Sequence, residues 1–237
     1  KNYILLVLIV IIIISYFLYF TYETELKDYD TRLGKDGFLC FNKHLQKRDI
    51  LKNLPKGYVF LDYKYEIKGC TLSTYHRDVT SSQYIFNSKY PIYTYICYFN
   101  SGKVLSLCPQ SHKQVPFLFT PPKIINIQSN RPSVLFNCDI VHAGYLNKKP
   151  NENRHAIQYK IVHKDDLVLM KHLDNINKIT QEDCKSFSYY YETLLRKSSV
   201  FFSFIINHCF TKYLQNNQND TISNITLWLT NKNFFNR

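Results

Sequence analysis

Glycine, alanine, arginine and proline are scarce in this chain of 237 residues, with 6, 2, 7 and 8 copies respectively. The abundant residues are lysine, asparagine, isoleucine, tyrosine and phenylalanine, whose codons are rich in A and T. We therefore attribute much of the lysine excess behind the net charge of +12 to base composition. Binding to nucleic acid, the usual inference from a basic chain, is not expected.

The cysteines lack a recognisable pattern. Seven of them are spread widely along the chain and none forms a C-x-x-C pair. This argues against both a disulfide framework and a zinc-finger spacing. The chain can nevertheless build a core, because 45% of its residues are hydrophobic and 16% are aromatic. Collagen-like, low-complexity and fully disordered proteins are thereby excluded.

Charge is absent from residues 3–20, which are almost entirely aliphatic or aromatic. A helix of this length spans about 27 Å, close to the thickness of the hydrocarbon core of a bilayer. A signal peptide fits less well, because the apolar run is long and no small-x-small cleavage site comes after it. We expect a single-pass membrane anchor within residues 1–22. The lysines and arginines beyond it slightly favour a cytoplasmic body.

The middle of the chain has short β-branched and aromatic runs separated by proline, glycine, serine and asparagine. Strands are predicted at residues 58–61, 71–75, 92–99, 104–107, 123–127, 133–137 and 155–162. Many short strands at this spacing favour a β-sandwich or barrel over alternating βα units. We expect a β core over residues 57–165, after a linker with one or two helices at 23–56. A helical extension is predicted at 166–237, with helices at 182–197 and 200–214.

A histidine with an aspartate two residues later occurs three times, at His76/Asp78, His163/Asp165 and His172/Asp174. On an extended chain the two side chains of such a pair share one face, so both can bind one metal ion. The three pairs differ in the residues that come later in the chain. After His76 and Asp78 come His142, at the end of a predicted strand, and Arg154, at the start of the next. The other two pairs have no later histidine and arginine in this arrangement.

This order of residues matches a known chemical requirement. Two histidines and one carboxylate form the facial triad of mononuclear Fe(II) oxygenases, which leaves the opposite face open for O2 and a co-substrate. If the co-substrate is 2-oxoglutarate, its far carboxylate needs a cation, and arginine offers a fixed fork of donors. Arg154 is informative because the chain has 7 arginines against 23 lysines.

The same residues resemble the phytanoyl-CoA dioxygenase-like group of Fe(II)/2-oxoglutarate oxygenases. Residues 93–113 are similar to the family's strand, turn and Pro-Gly-Ser-His segment, and residues 133–144 are similar to the segment with the distal histidine. The resemblance covers about residues 57–163. It implies a double-stranded β-helix, a jelly-roll barrel with the iron inside one end. His112, in the Ser-His segment, matches no ligand position and is interpreted as structural.

The resemblance also implies roles for individual residues. The implied iron ligands, which are also the catalytic residues, are His76, Asp78 and His142, and the implied anchor of 2-oxoglutarate is Arg154. Two serines that often assist the co-substrate in the family are Ala143 and Ala156 in this chain. The candidates to replace their hydrogen bonds to the co-substrate are Thr94, Tyr95 and Gln158.

Two functional hypotheses are compatible with these residues. The first is a membrane-anchored dioxygenase that uses Fe(II), 2-oxoglutarate and O2, with ascorbate as an optional reductant. Its substrate, a small molecule, a lipid or a protein side chain, depends on loops at the barrel mouth, and neither it nor the oligomeric state follows from the sequence. The second is a non-catalytic jelly-roll module with a structural or binding role in a virion or membrane complex. The complete set of histidines, aspartate and arginine favours the enzyme.

Overall fold

A computed structural model describes the chain in several stretches. They are residues 2–20, 23–26, 31–69, 75–113, 123–130, 132–145, 154–182, 196–197 and 199–200. The helices are α1 (Asn2–Phe20), α2 (Leu33–Asp36), α3 (Lys47–Leu51) and α4 (Gln83–Phe86). Two 3₁₀ segments span Val79–Ser81 and Lys164–Leu173.

The strands of these stretches form two sheets. The smaller sheet contains β1 (Glu23–Glu25), β6 (Ser101–Leu107), β7 (Ile124–Asn130) and β9 (His142–Gly144), in the order β1-β7-β6-β9. The larger sheet contains β2 (Phe38–Phe41), β3 (Tyr58–Phe60), β4 (Tyr63–Gly69), β5 (Tyr93–Tyr98), β8 (Ser133–Asn137), β10 (Arg154–His163) and β11 (Ile176–Glu182). Its order is β11-β4-β10-β5-β8-β2, with β3 also paired to β10.

The strand β5 shows how the sequence forms two apolar faces. All of its residues are buried, because it lies between β10 and β8 in the larger sheet. Successive side chains of a strand point to opposite faces. Ile96 and Tyr98 therefore pack towards the smaller sheet, whereas Tyr93, Tyr95 and Cys97 pack on the other face, in the cluster that includes α3.

The main core lies between the two sheets. Its members from the larger sheet are Phe38, Ile96, Tyr98, Val134, Phe136 and Ala156, and those from the smaller sheet are Val104, Leu105, Leu107 and Ile127. Full burial of one aliphatic or aromatic side chain of this size contributes about 1.5–3 kcal/mol. The core therefore fixes the two sheets against each other, and with them any residues that the two sheets contribute jointly to a site.

The prediction of a mainly β core is confirmed, with few helices among the described residues, and two packed mixed sheets are consistent with a jelly roll. The extent of the β core differs from the predicted 57–165. β1 and β2 fall in the segment predicted as a linker, and β11 falls in the predicted helical extension. β1 and β11 pair in parallel with partners far away in the sequence. Such pairing leaves little local pattern from which a strand can be recognised.

Two predicted segments lie mostly outside the described residues. The strand expected at 71–75 is described only from Tyr75 onwards. Of the helices expected at 182–197 and 200–214, the described parts are helical at 196–197 and 199–200, and residue 182 ends β11. The described helical turn supports the site indirectly, because the Ser199 hydroxyl accepts a hydrogen bond from the Tyr75 amide at 2.8 Å.

The N-terminal helix α1 exposes its large apolar side chains along residues 3–13. Within the part of the chain that the structure describes, no helix is both long and apolar enough to cross a membrane. Membrane attachment through residues 3–20 stays a prediction.

Candidate metal centre

Three side chains from two distant segments of the chain come together, His76 and Asp78 from one and His142 from the other. The ligand atoms of His76, Asp78 and His142 all lie within 4.8 Å of one another. Oδ1 of Asp78 is 3.6 Å from Nε2 of His142 and 4.0 Å from Nε2 of His76. Two imidazoles and one carboxylate on a common centre are the donor set of a mononuclear non-haem iron site.

Backbone hydrogen bonds hold these three residues in register. His76 forms an isolated antiparallel bridge with His142, and each amide donates to the other's carbonyl at 2.9 Å. The amide of Asp78 donates to the carbonyl of Cys138 at 2.9 Å. The bridge joins the segment before the first 3₁₀ helix to β9. It therefore explains why two histidines 66 positions apart in the sequence share one centre.

The orientation of His142 leaves one ring nitrogen available to a metal. Its Nδ1 lies 2.9 Å from the carbonyl oxygen of Ile140. A carbonyl can only accept, so Nδ1 carries the proton and the lone pair of the neutral ring is on Nε2, which faces Asp78. Burial lowers the pKa of His142, and Asp78 acts in the opposite direction. The neutral form required of a metal ligand is therefore favoured.

Asp78 is ionised for a different reason. Burial, the largest single influence, would raise its pKa, but Lys160, His142 and His76 together outweigh burial, so the pKa lies well below its ordinary value. Nζ of Lys160 donates to Oδ2 of Asp78 at 2.7 Å. The centre thus offers an anionic carboxylate, as binding of a divalent metal requires.

Arg154 lies on the inner surface of the larger sheet, the face of β10 that also carries Lys160. It begins β10, and its guanidinium carbon is 5.8 Å from the centre of the Tyr98 ring. Nε of Arg154 is buried without a hydrogen-bond partner among the described residues, and the Arg154 side chain interacts with the Tyr98 hydroxyl. Buried polar atoms are almost always paired, so this Nε, next to the Tyr98 hydroxyl, is compatible with a polar ligand. A carboxylate would fit, because it accepts from both groups.

The remaining predicted residues divide between the two faces of the larger sheet. The Thr94 hydroxyl donates to Oδ2 of Asp78 at 2.7 Å, and Nε2 of Gln158 lies 3.5 Å from the same oxygen. Tyr95 lies on the opposite face, where its hydroxyl accepts from the amide of Leu45 at 2.8 Å. Its predicted contact with a co-substrate does not fit this position, because neighbouring strand residues point in opposite directions.

Sequence reasoning missed Lys160, whose side chain is only 2% exposed and contacts Asp78. A signal for it was present. Arg154, Gln158 and Lys160 are separated by even numbers of residues on one strand, so their side chains share a face. Lysine was discounted along the whole chain because it is so abundant.

Comparison with known proteins gives only distant matches. No family model matches the chain, that of the phytanoyl-CoA dioxygenase-like group included, and no curated protein matches it. Three of the similar solved structures are an iron and alpha-ketoglutarate-dependent endoperoxidase, NvfI, the non-heme alpha ketoglutarate dependent epimerase SnoN from nogalamycin biosynthesis, and HygX from Streptomyces hygroscopicus with iron bound.

The quantitative similarity to these structures is low. NvfI is 10% identical with a TM-score of 0.37, over 54% of this chain and 78% of its own. SnoN is 10% identical with a TM-score of 0.37, over 67% and 93%. HygX is 12% identical with a TM-score of 0.38, over 54% and 83%. The function of this chain has to be argued from its own residues.

His112 lies close to the site but has a structural environment. Its Nδ1 is buried without a partner among the described residues, and its carbonyl accepts from the Tyr84 hydroxyl at 2.7 Å. Burial, followed by the charges of Lys113 and Arg77, lowers the pKa of His112 to about 4 from an ordinary 6.5. The folded protein therefore holds this ring neutral.

This environment predicts a pH-dependent contribution to stability. Between pH 6.5 and 4 the unfolded chain binds a proton at His112 that the folded protein does not, so stability falls as the pH falls through this window. The loss between pH 7 and pH 5 is on the order of 1 kcal/mol, with allowance for the partly exposed ring. Urea unfolding at both pH values measures it. His112→Gln should reduce the loss by this amount, and an unchanged pH dependence would contradict the assignment.

Proposed function

We propose that this protein is an Fe(II)/2-oxoglutarate-dependent dioxygenase that hydroxylates its substrate. The observation that carries the proposal is the centre of His76, Asp78 and His142, with Arg154, whose Nε is buried and unpaired among the described residues, on the inner surface of the larger sheet. When bound, Fe(II) would activate O2, the oxidant, and the oxidation of 2-oxoglutarate to succinate and CO2 would supply two electrons, so that one oxygen atom enters succinate and the other the substrate.

The chain's own residues supply binding and orientation. The two imidazoles and the Asp78 carboxylate would hold the metal, and three protein ligands would leave coordination positions for the co-substrate and O2. Arg154 offers parallel N–H donors to the far carboxylate of 2-oxoglutarate, and this fixes the direction in which the molecule enters. The buried position of His142 and Asp78 limits access of bulk water to the centre.

The charges of the site favour an anionic co-substrate. Lys160 and Arg154 are each positive and Asp78 is negative, so these three groups already carry a net positive charge. A divalent metal adds two more positive charges. A dicarboxylate compensates this excess in a site of low polarity, whereas a neutral co-substrate would leave it uncompensated.

A non-catalytic module is the second candidate, and one observation favours it. The ammonium of Lys160, 2.7 Å from Asp78, can neutralise this carboxylate without any metal. In such a module the centre would bind neither Fe(II) nor 2-oxoglutarate. Both imidazoles face Oδ1 of Asp78, whereas Lys160 contacts Oδ2. This orientation supports the enzyme.

The test is succinate release from 2-oxoglutarate by the purified protein with Fe(II), O2 and ascorbate. Succinate should form without added substrate, at a low rate, because decarboxylation can proceed uncoupled from hydroxylation. A chelator should abolish it. So should His76→Ala, the ligand variant best tolerated by the fold because its side chain is 26% exposed against 7% for His142. No turnover, or turnover that survives loss of His76, would overturn the proposal.

A methyl group at Gly144 should weaken 2-oxoglutarate binding selectively. A Cβ at this position would lie 2.8 Å from Cζ of Arg154, at the far end of a flexible side chain. Gly144→Ala should therefore displace the guanidinium without unfolding β9 and raise the KM for 2-oxoglutarate about tenfold or more. Fe(II) affinity should stay unchanged. Equal losses of Fe(II) and 2-oxoglutarate affinity would instead indicate general distortion.

A further inference from the structure

Lys160 has a buried ammonium with every donor occupied. Its Nζ donates to Oδ2 of Asp78 at 2.7 Å, to the Thr94 hydroxyl at 2.8 Å and to the Ser81 hydroxyl at 2.9 Å. An ammonium has three N–H donors, so these acceptors fix its position. The group is thus a stationary cation beside one oxygen of a metal ligand.

The two oxygens of Asp78 have different surroundings. Oδ2 accepts from Lys160 and from the Thr94 hydroxyl, each at 2.7 Å. Oδ1 faces the two imidazoles, at 3.6 Å from His142 and 4.0 Å from His76, beyond hydrogen-bond length. One oxygen is therefore held by the protein, and the other points to the place where the ring nitrogens converge.

We propose that Lys160 is a positioning residue that, together with Thr94, holds Oδ2 so that Asp78 binds the metal through Oδ1 alone. This inference rests on the proposed function. A carboxylate is able to bind a metal through one or both oxygens, and binding through both would use a further coordination position. With one oxygen from Asp78 and one nitrogen from each histidine, an octahedral metal keeps room for a bidentate co-substrate and O2.

A positioning role and a purely structural role of Lys160 predict different effects when Lys160 is replaced. Without the ammonium, Oδ2 is released and the nearest cation is removed from the metal. Lys160→Met should therefore keep or increase Fe(II) affinity while the carboxylate becomes a two-oxygen ligand. A purely structural role predicts the reverse, a lower Fe(II) affinity with the binding mode of any remaining metal unchanged. The affinity for 2-oxoglutarate should fall about tenfold in the variant, because the second oxygen of Asp78 then occupies a coordination position that 2-oxoglutarate needs.

The experiment is X-ray absorption at the iron edge of the anaerobic full-length protein loaded with Fe(II), alongside calorimetric Fe(II) titration. A two-oxygen carboxylate is recognised because it brings the carboxylate carbon close to the metal. Lys160→Met is compared with Lys160→Arg, which restores a cationic donor, and with Lys178→Met on the exposed edge strand β11. Thr94→Val keeps the ammonium and removes one donor to Oδ2, so it decides the question if Lys160→Met does not fold.

The expected result is one-oxygen binding in the wild type, Lys160→Arg and Lys178→Met, and two-oxygen binding in Lys160→Met. A partial change of the same kind is expected in Thr94→Val. Two-oxygen binding in the wild type would overturn the positioning role alone, and so would one-oxygen binding in both Lys160→Met and Thr94→Val. Absence of Fe(II) binding in the wild type would overturn the proposed function as well, so the two failures are distinguishable.

Discussion

Replacement of His142 by alanine is expected to lower the affinity for Fe(II) at least about 100-fold. Loss of a residue that only hydrogen-bonds to a metal ligand already lowers metal affinity about 10- to 100-fold, and His142 is itself a ligand in this proposal. His142 offers Nε2 to the centre and is the most buried of the three residues, with 7% of its side chain exposed. Its ring packs against Phe136, with 4.7 Å between ring centres. Anaerobic calorimetric titration with Fe(II) measures the effect.

The matched control is His163→Ala. His163 also begins a histidine–x–aspartate pair, but it ends β10 and packs against Tyr90, with 3.8 Å between ring centres. Its removal should leave Fe(II) affinity unchanged. If both variants lost affinity equally, the effect would be one of general stability, and the choice of His76, Asp78 and His142 as the ligands would be wrong.

Replacement of Arg154 by methionine is expected to raise the KM for 2-oxoglutarate by about 100-fold or more. Removal of one partner from a buried hydrogen-bonded charge pair costs about 2–5 kcal/mol, and methionine keeps the length of the side chain without its charge. Because Arg154 is not among the three metal-binding residues, Fe(II) affinity should change little. Succinate formation at varied 2-oxoglutarate concentration gives the KM.

Arg154→Lys distinguishes charge from geometry. Lysine keeps the positive charge but lacks the fixed fork of donors, so its KM should lie between those of the wild type and Arg154→Met. A KM that is unchanged in Arg154→Met would show that 2-oxoglutarate is anchored elsewhere. Nε of Arg154, unpaired among the described residues, would then need another partner.

The linear order of the candidate site was visible in the sequence, and two of its residues lie at strand ends in the structure. His142 begins β9 and Arg154 begins β10, and strand ends are the positions at which barrel residues converge. What spacing cannot show is the bridge that brings His76 to His142, since it joins backbone groups 66 residues apart. The convergence therefore had to be inferred from chemistry and from family resemblance.

Tyr95, a candidate for a hydrogen bond to the co-substrate, faces away from the metal centre for a simple physical reason. Thr94 and Tyr95 are adjacent on β5, so only one of them can face the metal centre, and the packing of β5 between two layers decides which. Both faces of this strand are buried, and hydrophobic alternation therefore gives no indication of direction. The pairing of Lys160 with Thr94 across β10 and β5 settles the matter in the structure.

The strand β4 was not predicted, although its sequence pattern could have been recognised. Tyr63, Tyr65 and Ile67 alternate with Lys64, Glu66 and Lys68, a pattern typical of a strand with one polar face. The charges lie on the outer face, where Glu66 contacts both lysines. The parallel strand β11 next to it is different, because its place in the sheet depends on β4 already being there.

The most direct test of the central claim is anaerobic titration of the purified protein, first with Fe(II), followed by calorimetry, and then with 2-oxoglutarate, followed by visible absorption. If the protein binds both at this centre, we expect one Fe(II) to bind per chain and a charge-transfer band to appear only after 2-oxoglutarate is added. His142→Ala should show neither, and Arg154→Met should need far more 2-oxoglutarate for the same band. Absence of Fe(II) binding by the wild type, or Fe(II) binding without any band at saturating 2-oxoglutarate, would contradict the central claim.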